Sequence, residues 1–431
     1  MRLLFVTYFF PPFRTSAAVR TGQTAKYLSA MGHDVRVVTA DRLPWERSLP
    51  LEIPRDHVAY TPWLGSGVTA IVAGRRLFRA NVEVARSSAE RRLVTPSAKR
   101  LIRLAQRNLL YMPDDCIGWY PWALRASLRI AEQQPVDLIY ASAGPFTSLL
   151  VAATVARVCG APWVGELRDL WSDNHYRSLP PWFRGIDARL EARVLKSAAG
   201  LVTMSELWAE GLESKYAVPV RAVYNGFEER DEQTSRRNEA RSESIVIAHL
   251  GMLYGGKRDP TPLFQAIQAL GDDAHRVRVE FYGPEQDLVR RLARSSGVED
   301  RVRVFGDIPY AESLTVQSNS DVLLLLMWDT PEEAGVLPGK LFEYLGARRP
   351  VLAVGAGYGV GAHLISSRRL GLASSDPVEI AVQLRTWIAE KDALGRPEPL
   401  SAEAVADFSR VRQVQRLSEF LCELSTAAKS P

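Results

Sequence analysis

MRLLFVTYFFPPFRTSAAVRTGQTAKYLSAMGHDVRVVT, residues 1–39, decides the fold. Leu3–Phe10 is apolar apart from Thr7 and is closed by Pro11-Pro12. It is too short to span a membrane and no small-residue cleavage site follows, so it reads as a buried strand and not as a signal peptide. Thr21–Met31 then carries Ala25, Leu28 and Met31 at helical spacing, Gly32-His33 breaks the helix, and Asp34–Thr39 resumes as a strand. Strand, turn, helix, glycine and strand make a βαβ unit, whose first loop lies at the carboxyl end of a parallel strand, where such sheets bind ligands.

The same grammar recurs. Val136–Ala141 predicts a strand, Ser148–Val158 a helix, and Pro162–Glu166 and Gly200–Ser205 further strands, with a turn at Asn225-Gly226. The polar run Glu228–Glu243 reads as an exposed linker or as a surface loop. Beyond it the alternation restarts: strands Ile245–Gly251, Arg278–Tyr282, Val302–Phe305, Asp321–Met327 and Pro350–Val354, with helices Thr261–Leu270, Glu285–Ser295, Tyr310–Ser318 and Lys340–Ala347 between them. Two βα arrays of similar size predict an α/β protein of two Rossmann-like domains facing each other across a cleft. The expected divisions are 1–225, a linker at 226–244, a second domain over 245–400, and a C-terminal helix over 401–431 that packs back across both.

Composition narrows the class. The 431 residues are 46% hydrophobic and 24% charged, which excludes a disordered chain and a collagen-like repeat. Three scattered cysteines, Cys116, Cys159 and Cys422, suit a reducing cytosol and exclude a disulfide scaffold. No Cys-x-x-Cys occurs, which argues against a structural zinc. The net charge of +5 is too mild to demand nucleic acid, and arginine outnumbers lysine throughout. Charge is nonetheless concentrated: Arg75–Arg107 holds ten Lys/Arg against Glu83 and Glu90, interleaved with Leu77, Phe78, Val82, Leu101 and Ile102. Such a segment fits an anionic membrane surface, or an amphipathic helix packed on the core.

Five stretches carry candidate chemistry. In Gly251-Met-Leu-Tyr-Gly-Gly-Lys257-Arg258, a strand runs into a glycine loop with two cations just before a helix. The glycines would admit a bulky anion and the cations would neutralise a diphosphate, although a solvated basic turn fits as well. In Pro338-Gly339-Lys340-Leu341-Phe-Glu343, a lysine stands at the positive end of a helix, where it implies an accompanying anion. Glu343, at i+3, suits two ribose hydroxyls or an ordinary pair with Lys340. Gly283-Pro284 and Gly306-Asp307-Ile308-Pro309 follow strands and suit either reading of a base edge or plain turn chemistry. Trp163–Trp171 ends a strand in Glu166, Arg168, Asp169 and Trp171, polar and aromatic groups at the ligand end. The loop after the first strand offers Arg14 and, further on, Arg20, which suit either a phosphate or plain surface charge. No Walker A motif, no Gly-x-Gly-x-x-Gly after the first strand and no Gly-x-Ser-x-Gly elbow is present, which disfavours an NTPase, a dehydrogenase and a serine hydrolase. The lack of an Asp-x-Asp after a strand disfavours a metal-dependent single-domain transferase.

Taken together, YFFPP, GELRDLW (165–171), YNG (224–226), GMLYGGKRDP (251–260), GDIPY (306–310) and LPGKLFEYLGARRPVLAVG (337–355) resemble glycosyltransferase family 4, the retaining enzymes with the GT-B fold. The resemblance spans nearly the whole chain and is nearest to the bacterial enzymes of capsule, O-antigen and exopolysaccharide synthesis. It implies transfer of a sugar from a nucleotide-sugar donor to a glycan or polyprenyl-diphosphate-linked acceptor, with no metal or other cofactor, in the cytoplasm or on the cytoplasmic face of the inner membrane. It also implies roles. Lys257, Arg258 and Lys340 would hold the diphosphate, and Glu343 the ribose. Gly251, Gly283, Asp307, Ile308, Gly339 and Leu341 would frame the donor, and Arg14, Arg168 and Asp169 would face the acceptor. The family's Glu-x7-Glu spacing would place its first carboxylate at Gly335, with Glu332 and Glu333 the nearest substitutes. An inactive GT-B binding protein and a sugar-nucleotide epimerase, using His249 or His175, are the alternative readings.

Overall fold

A computed structural model describes residues 1–64, 112–177, 179–229, 243–355 and 357–428. The basic stretch Arg75–Arg107 and most of the polar run Glu228–Glu243 lie outside the described residues. Among the described residues the chain forms two units: Met1–Tyr224 with the C-terminal segment from Gln413, and Asn225–Arg412.

The first unit is a seven-stranded parallel sheet: β1 (Arg2–Thr7), β2 (Asp34–Ala40), β3 (Val58–Thr61), β4 (Leu138–Ser142), β5 (Trp163–Leu167), β6 (Gly200–Thr203) and β7 (Val220–Ala222), in the order β3-β2-β1-β4-β5-β6-β7. Leu3 of β1 is in register with Val35 on one side and Leu138 on the other. Both β1 neighbours are parallel, so the chain needs crossovers, supplied by α1 (Ser16–Ala30), α2 (Tyr120–Gln133), α3 (Thr147–Cys159), α4 (Pro181–Leu195) and α5 (Glu206–Tyr216). With helices covering both faces, β4 and β5 are buried at every position, which explains their near-continuous apolar runs.

The second unit repeats the plan with six parallel strands: β8 (Ile245–Leu250), β9 (Val277–Tyr282), β10 (Val302–Phe305), β11 (Val322–Leu326), β12 (Val351–Val354) and β13 (Gly371–Ala373), ordered β10-β9-β8-β11-β12-β13. Its helices are α6 (Thr261–Ala269), α7 (Gln286–Ser295), α8 (Tyr310–Asn319), α9 (Gly339–Gly346), α10 (Val360–Ser367), α11 (Pro377–Leu394) and α12 (Ala402–Ala406). The last helix, α13 (Arg410–Ala427), begins in the second unit and continues in the first. In each sheet the order reverses once, between β1 and β4 and between β8 and β11. Ligands of open α/β sheets bind outside the carboxyl ends of the strands at such a reversal.

Three expectations are corrected. The first strand stops at Thr7, short of Phe10, and the first helix begins at Ser16, five residues before Thr21. Thr15 is its cap, with its hydroxyl accepting from Ala18 N at 3.0 Å. The C-terminal helix predicted over 401–431 is two helices. Phe408 interrupts it by turning into the core beside Phe342, while Phe227 N donates to Phe408 O at 3.0 Å and Arg410 N donates to Phe227 O at 2.8 Å. Backbone groups spent on residue 227 are not available to continue a helix.

Candidate functional site

In the second unit β8 runs out at Leu250, and Gly251 turns away at φ +144°, its N–H donating to Tyr282 O at 2.8 Å. A Cβ on Gly251 would stand 1.8 Å from Lys340 Nζ, and a Cβ on Gly283, at φ +156°, would stand 2.4 Å from Gly251 O. Two strand ends and one ammonium therefore close up in a way that no side chain at 251 or 283 permits. Lys340 lies in the first turn of α9, whose N-cap is Pro338 with no capping side chain, so the positive helix end stands beside a positive side chain.

The loop between β8 and α6 brings two more cations. Arg258 lies over the Tyr254 ring, with its guanidinium carbon 4.6 Å from the centroid, and Lys257 Nζ stands 4.2 Å from the Trp328 ring centroid just beyond β11. Tyr254 and Trp328 meet edge to face at 5.9 Å. Such contacts hold a cation without neutralising it. Among the described residues no carboxylate lies within 4.0 Å of Lys257, Arg258 or Lys340, and Arg258 Nε is buried without a hydrogen-bond partner. Burial, and then Arg258, push the Lys340 ammonium down from 10.5 to about 8, while Glu343 pulls it back up. Holding it charged there costs on the order of 3 kcal/mol. Cations gathered at strand ends at the sheet's reversal, with no carboxylate within 4.0 Å among the described residues, make this corner of the second unit electropositive and chemically able to hold an anion.

His249, the residue before Leu250, backs this cluster. Its Nδ1–H donates to Leu324 O at 2.9 Å, and burial followed by Lys340 pushes the ring down to about 3, so the imidazole is neutral. Its Nε2 lone pair is buried with no hydrogen-bond partner among the described residues. Tyr344, one turn beyond Lys340, accepts from Leu250 N at 3.4 Å and donates to Leu324 O at 3.3 Å, tying α9 to β8 and β11.

The remaining second-unit candidates are placed as follows. Glu343 is half-buried and accepts from Gln317 Nε2 at 3.2 Å, a contact to α8 rather than an ion pair with Lys340. The Leu341 side chain is fully in the core, so only its backbone is near the helix end, and its N–H already donates to Pro338 O at 3.0 Å. Gly339 and Asp307 are exposed and Ile308 is half-buried. Next to Asp307, Phe305 at the end of β10 stacks on Tyr282 at the end of β9 with centroids 4.6 Å apart and planes within 9°. Of the two acids near Gly335, Glu332 is exposed and Glu333 is buried.

The glycine loop departs from expectation. The N–H groups of Leu253, Tyr254 and Gly255 do not stand open for a phosphate. They donate to the Glu285 carboxylate, a residue that sequence reasoning passed over as the start of a helix.

In the first unit Glu166, at the end of β5, is buried and accepts from Arg20 Nε at 2.9 Å, Arg20 Nη2 at 2.6 Å and Ser142 Oγ at 2.5 Å. Burial pushes this carboxyl up, but Arg20, Ser142 and Arg168 outweigh it and hold it below the ordinary range. Arg20 also donates to Val223 O and Tyr224 O, so it is a buried tie and not the phosphate ligand considered from sequence. Arg168 is fixed by Ala143 O at 2.8 Å and Gly144 O at 3.0 Å, whereas Asp169 is exposed. Arg14 is about half exposed and lies 3.7 Å from Glu46. Trp171 is core: it stacks on Phe146 at 4.8 Å and donates to Asp187 Oδ1.

Residues 15–226 match the family model of the glycosyl transferase 4-like domain. That match lies on the first unit, and the solved structures extend the likeness to both. HepE from Anabaena, solved with UDP, is 16% identical over 98% of this chain and 100% of its own, with a TM-score of 0.62. Sucrose-phosphate synthase from Thermosynechococcus elongatus is 13% identical over 99% and 100%, with a TM-score of 0.63. The lipopolysaccharide outer core galactosyltransferase WaaB is 12% identical over 97% and 99%, at 0.52. The chain has the GT-B fold of these glycosyltransferases. No curated protein matches it in sequence. Among the described residues no helix is long and apolar enough to cross a membrane.

Proposed function

We propose that the protein is a retaining glycosyltransferase that moves a sugar from a nucleoside-diphosphate donor to a glycan or polyprenyl-diphosphate-linked acceptor, without a metal, in cell-surface polysaccharide synthesis at the cytoplasmic face of a membrane. One observation carries the donor reading: Lys257, Arg258 and Lys340 stand together at the reversal of the second sheet with no carboxylate within 4.0 Å among the described residues. The glycosyl transferase 4-like match and HepE's crystallisation with UDP support it. The acceptor is assigned to the first unit, where Arg14, Arg168 and Asp169 are the candidate contacts. A membrane role for Arg75–Arg107 rests on its sequence alone.

In this reading the anomeric C–O bond to phosphate breaks, and negative charge develops on the departing diphosphate. Three fixed cations and an uncapped helix N-terminus stabilise that charge most once it has formed, which is what lowers a barrier. They supply the positive charge that a divalent ion would otherwise bring. The acceptor oxygen bonds to the same face of the sugar, and its proton passes to the leaving phosphate oxygen, so no protein base is needed and configuration is retained. Glu343, oriented by Gln317, is positioned for the ribose hydroxyls.

The test is calorimetry with UDP, GDP, ADP and their sugars in EDTA. Binding by one nucleotide series, weakened at least tenfold in Lys340→Ala, is the expected result; no binding, or binding that ignores Lys340, overturns the donor reading. The product anomer, read by NMR, decides retention. A second reading, binding without transfer, has Gly335 in its favour and requires donor binding with neither transfer nor donor hydrolysis. An epimerase would need a working acid/base pair, and His249 is buried and neutral while His175 is exposed in the first unit.

A further inference from the structure

Glu285 stands at the N-cap of α7, directly after the Gly283-Pro284 turn that ends β9, yet it makes no side-chain cap bond to its own helix. Its carboxylate reaches back to the loop after β8. One oxygen accepts from Leu253 N at 2.5 Å and Tyr254 N at 2.9 Å, and the other from Gly255 N at 2.7 Å. Successive amides aimed at one anion form a nest, and here the chain fills the nest with its own carboxylate. The backbone explains the need. Tyr254, Gly255 and Gly256 lie at φ +53°, +68° and +92°, a left-handed run that a tyrosine does not adopt without support. The Tyr254 ring lies against Arg258, and Arg258 N donates to Leu253 O at 3.0 Å, so the same three residues set where both cations project.

We propose that Glu285 is a positioning residue for diphosphate recognition: by holding the Leu253–Gly255 amides it fixes Tyr254 against Arg258 and aims Arg258 and Lys257 at the donor's diphosphate. The inference rests on the donor-site reading above. It also accounts for an acid beside an anion site, a placement that charge alone disfavours. The acceptor capacity of Glu285 faces the loop backbone, and its effect on the diphosphate passes through the cations. A carboxylate suits the task where an amide does not, because glutamine offers one accepting oxygen and presents an NH2 to the third backbone N–H.

The experiment uses the full chain, with inorganic pyrophosphate and the nucleoside diphosphate that the wild type binds as probes, measured by calorimetry and accompanied by melting curves. Glu285→Ala is expected to raise Kd about tenfold or more, and Glu285→Gln by a smaller factor. In the Lys257→Ala/Arg258→Ala background, Glu285→Ala is expected to add no further loss, because its effect passes through those two cations. A purely structural role would lower the melting temperature and leave the affinity of the folded fraction alone. Wild-type affinity in Glu285→Ala, or losses that multiply independently in the cycle, overturn this inference while leaving the donor reading intact. Failure of the wild type to bind either probe overturns the donor reading and this inference with it. Should Glu285→Ala not fold, Glu285→Gln carries the same comparison: an unchanged Kd in the folded variant overturns the proposal.

Discussion

Raising the pH should weaken donor binding through Lys340 before it disturbs the fold. In the free protein this ammonium is pushed down to about 8 by burial and by Arg258. It is therefore about 90% charged at pH 7 and about 10% charged at pH 9. A diphosphate needs the charged form and pulls the ammonium back up, so binding takes up a proton above pH 8. The expected loss between pH 7 and pH 9 is about tenfold in affinity. The effect on stability has the opposite sign. Because the group's ordinary value of 10.5 lies above its value in the fold, the unfolded chain binds the extra proton between pH 8 and 10.5. This group's contribution to stability thus improves as pH rises through that window, so weaker binding there is not loss of fold on its account. The assay is calorimetry of the nucleotide sugar at half-unit steps in buffers of different ionisation enthalpy, for the wild type and Lys340→Arg. The arginine stays charged throughout, and ionisation of the ligand's base is common to both proteins. A wild-type profile parallel to that of Lys340→Arg, or no proton uptake at pH 9, would refute the placement of Lys340 against the diphosphate.

Single replacement of Lys257 or Arg258 by alanine should lower turnover by about tenfold to a thousandfold with little change in melting temperature, since neither has a carboxylate partner among the described residues; kinetics that stay at wild-type values in both would remove them from the site. Gly251→Ala should abolish donor binding, because the new Cβ would fall 1.8 Å from Lys340 Nζ on a backbone at φ +144°; titration of the folded variant with UDP or GDP checks it. Arg20→Met should destabilise the first unit by about 3–5 kcal/mol by leaving Glu166 buried without its partner, measured by urea unfolding. As pH falls through the lowered Glu166 value, the wild type should lose that pairing and the variant should be the less acid-sensitive of the two.

Strand content was legible wherever both faces of a strand are buried. Val322–Leu326 is apolar throughout, and Leu138–Ser142 departs from that only in the Tyr140 hydroxyl and the closing Ser142, so neither is easily read as anything else. What escaped were the short edge strands β3, β7 and β13, of three or four residues each, which are too brief to show a period. The helix start at Ser16 was missed for a related reason. Its N-cap, Thr15, sits among Phe13, Arg14 and Ser16 with no acid three residues on, so no capping box marks it.

The cations of the site were visible because glycine, proline and lysine at strand ends have few other uses. Their environment was not visible. Lys340 and Gly251 are 89 positions apart in the chain, and their approach to within the reach of one methyl group follows from β8 and the N-terminus of α9 meeting at the sheet's reversal. The acids show the limit most sharply. Glu285 and Glu343 both stand near helix starts, where sequence offers the same account of each, a carboxylate near a helix start. In the fold one grips three amides of a distant loop and the other is held by Gln317 from α8. The difference arises from which strand end each helix follows. Glu285 leaves β9 beside the loop that leaves β8, and adjacent parallel strands deliver their loops to the same edge. An acid in that position is therefore best read against the loop of the neighbouring strand before it is read against its own helix.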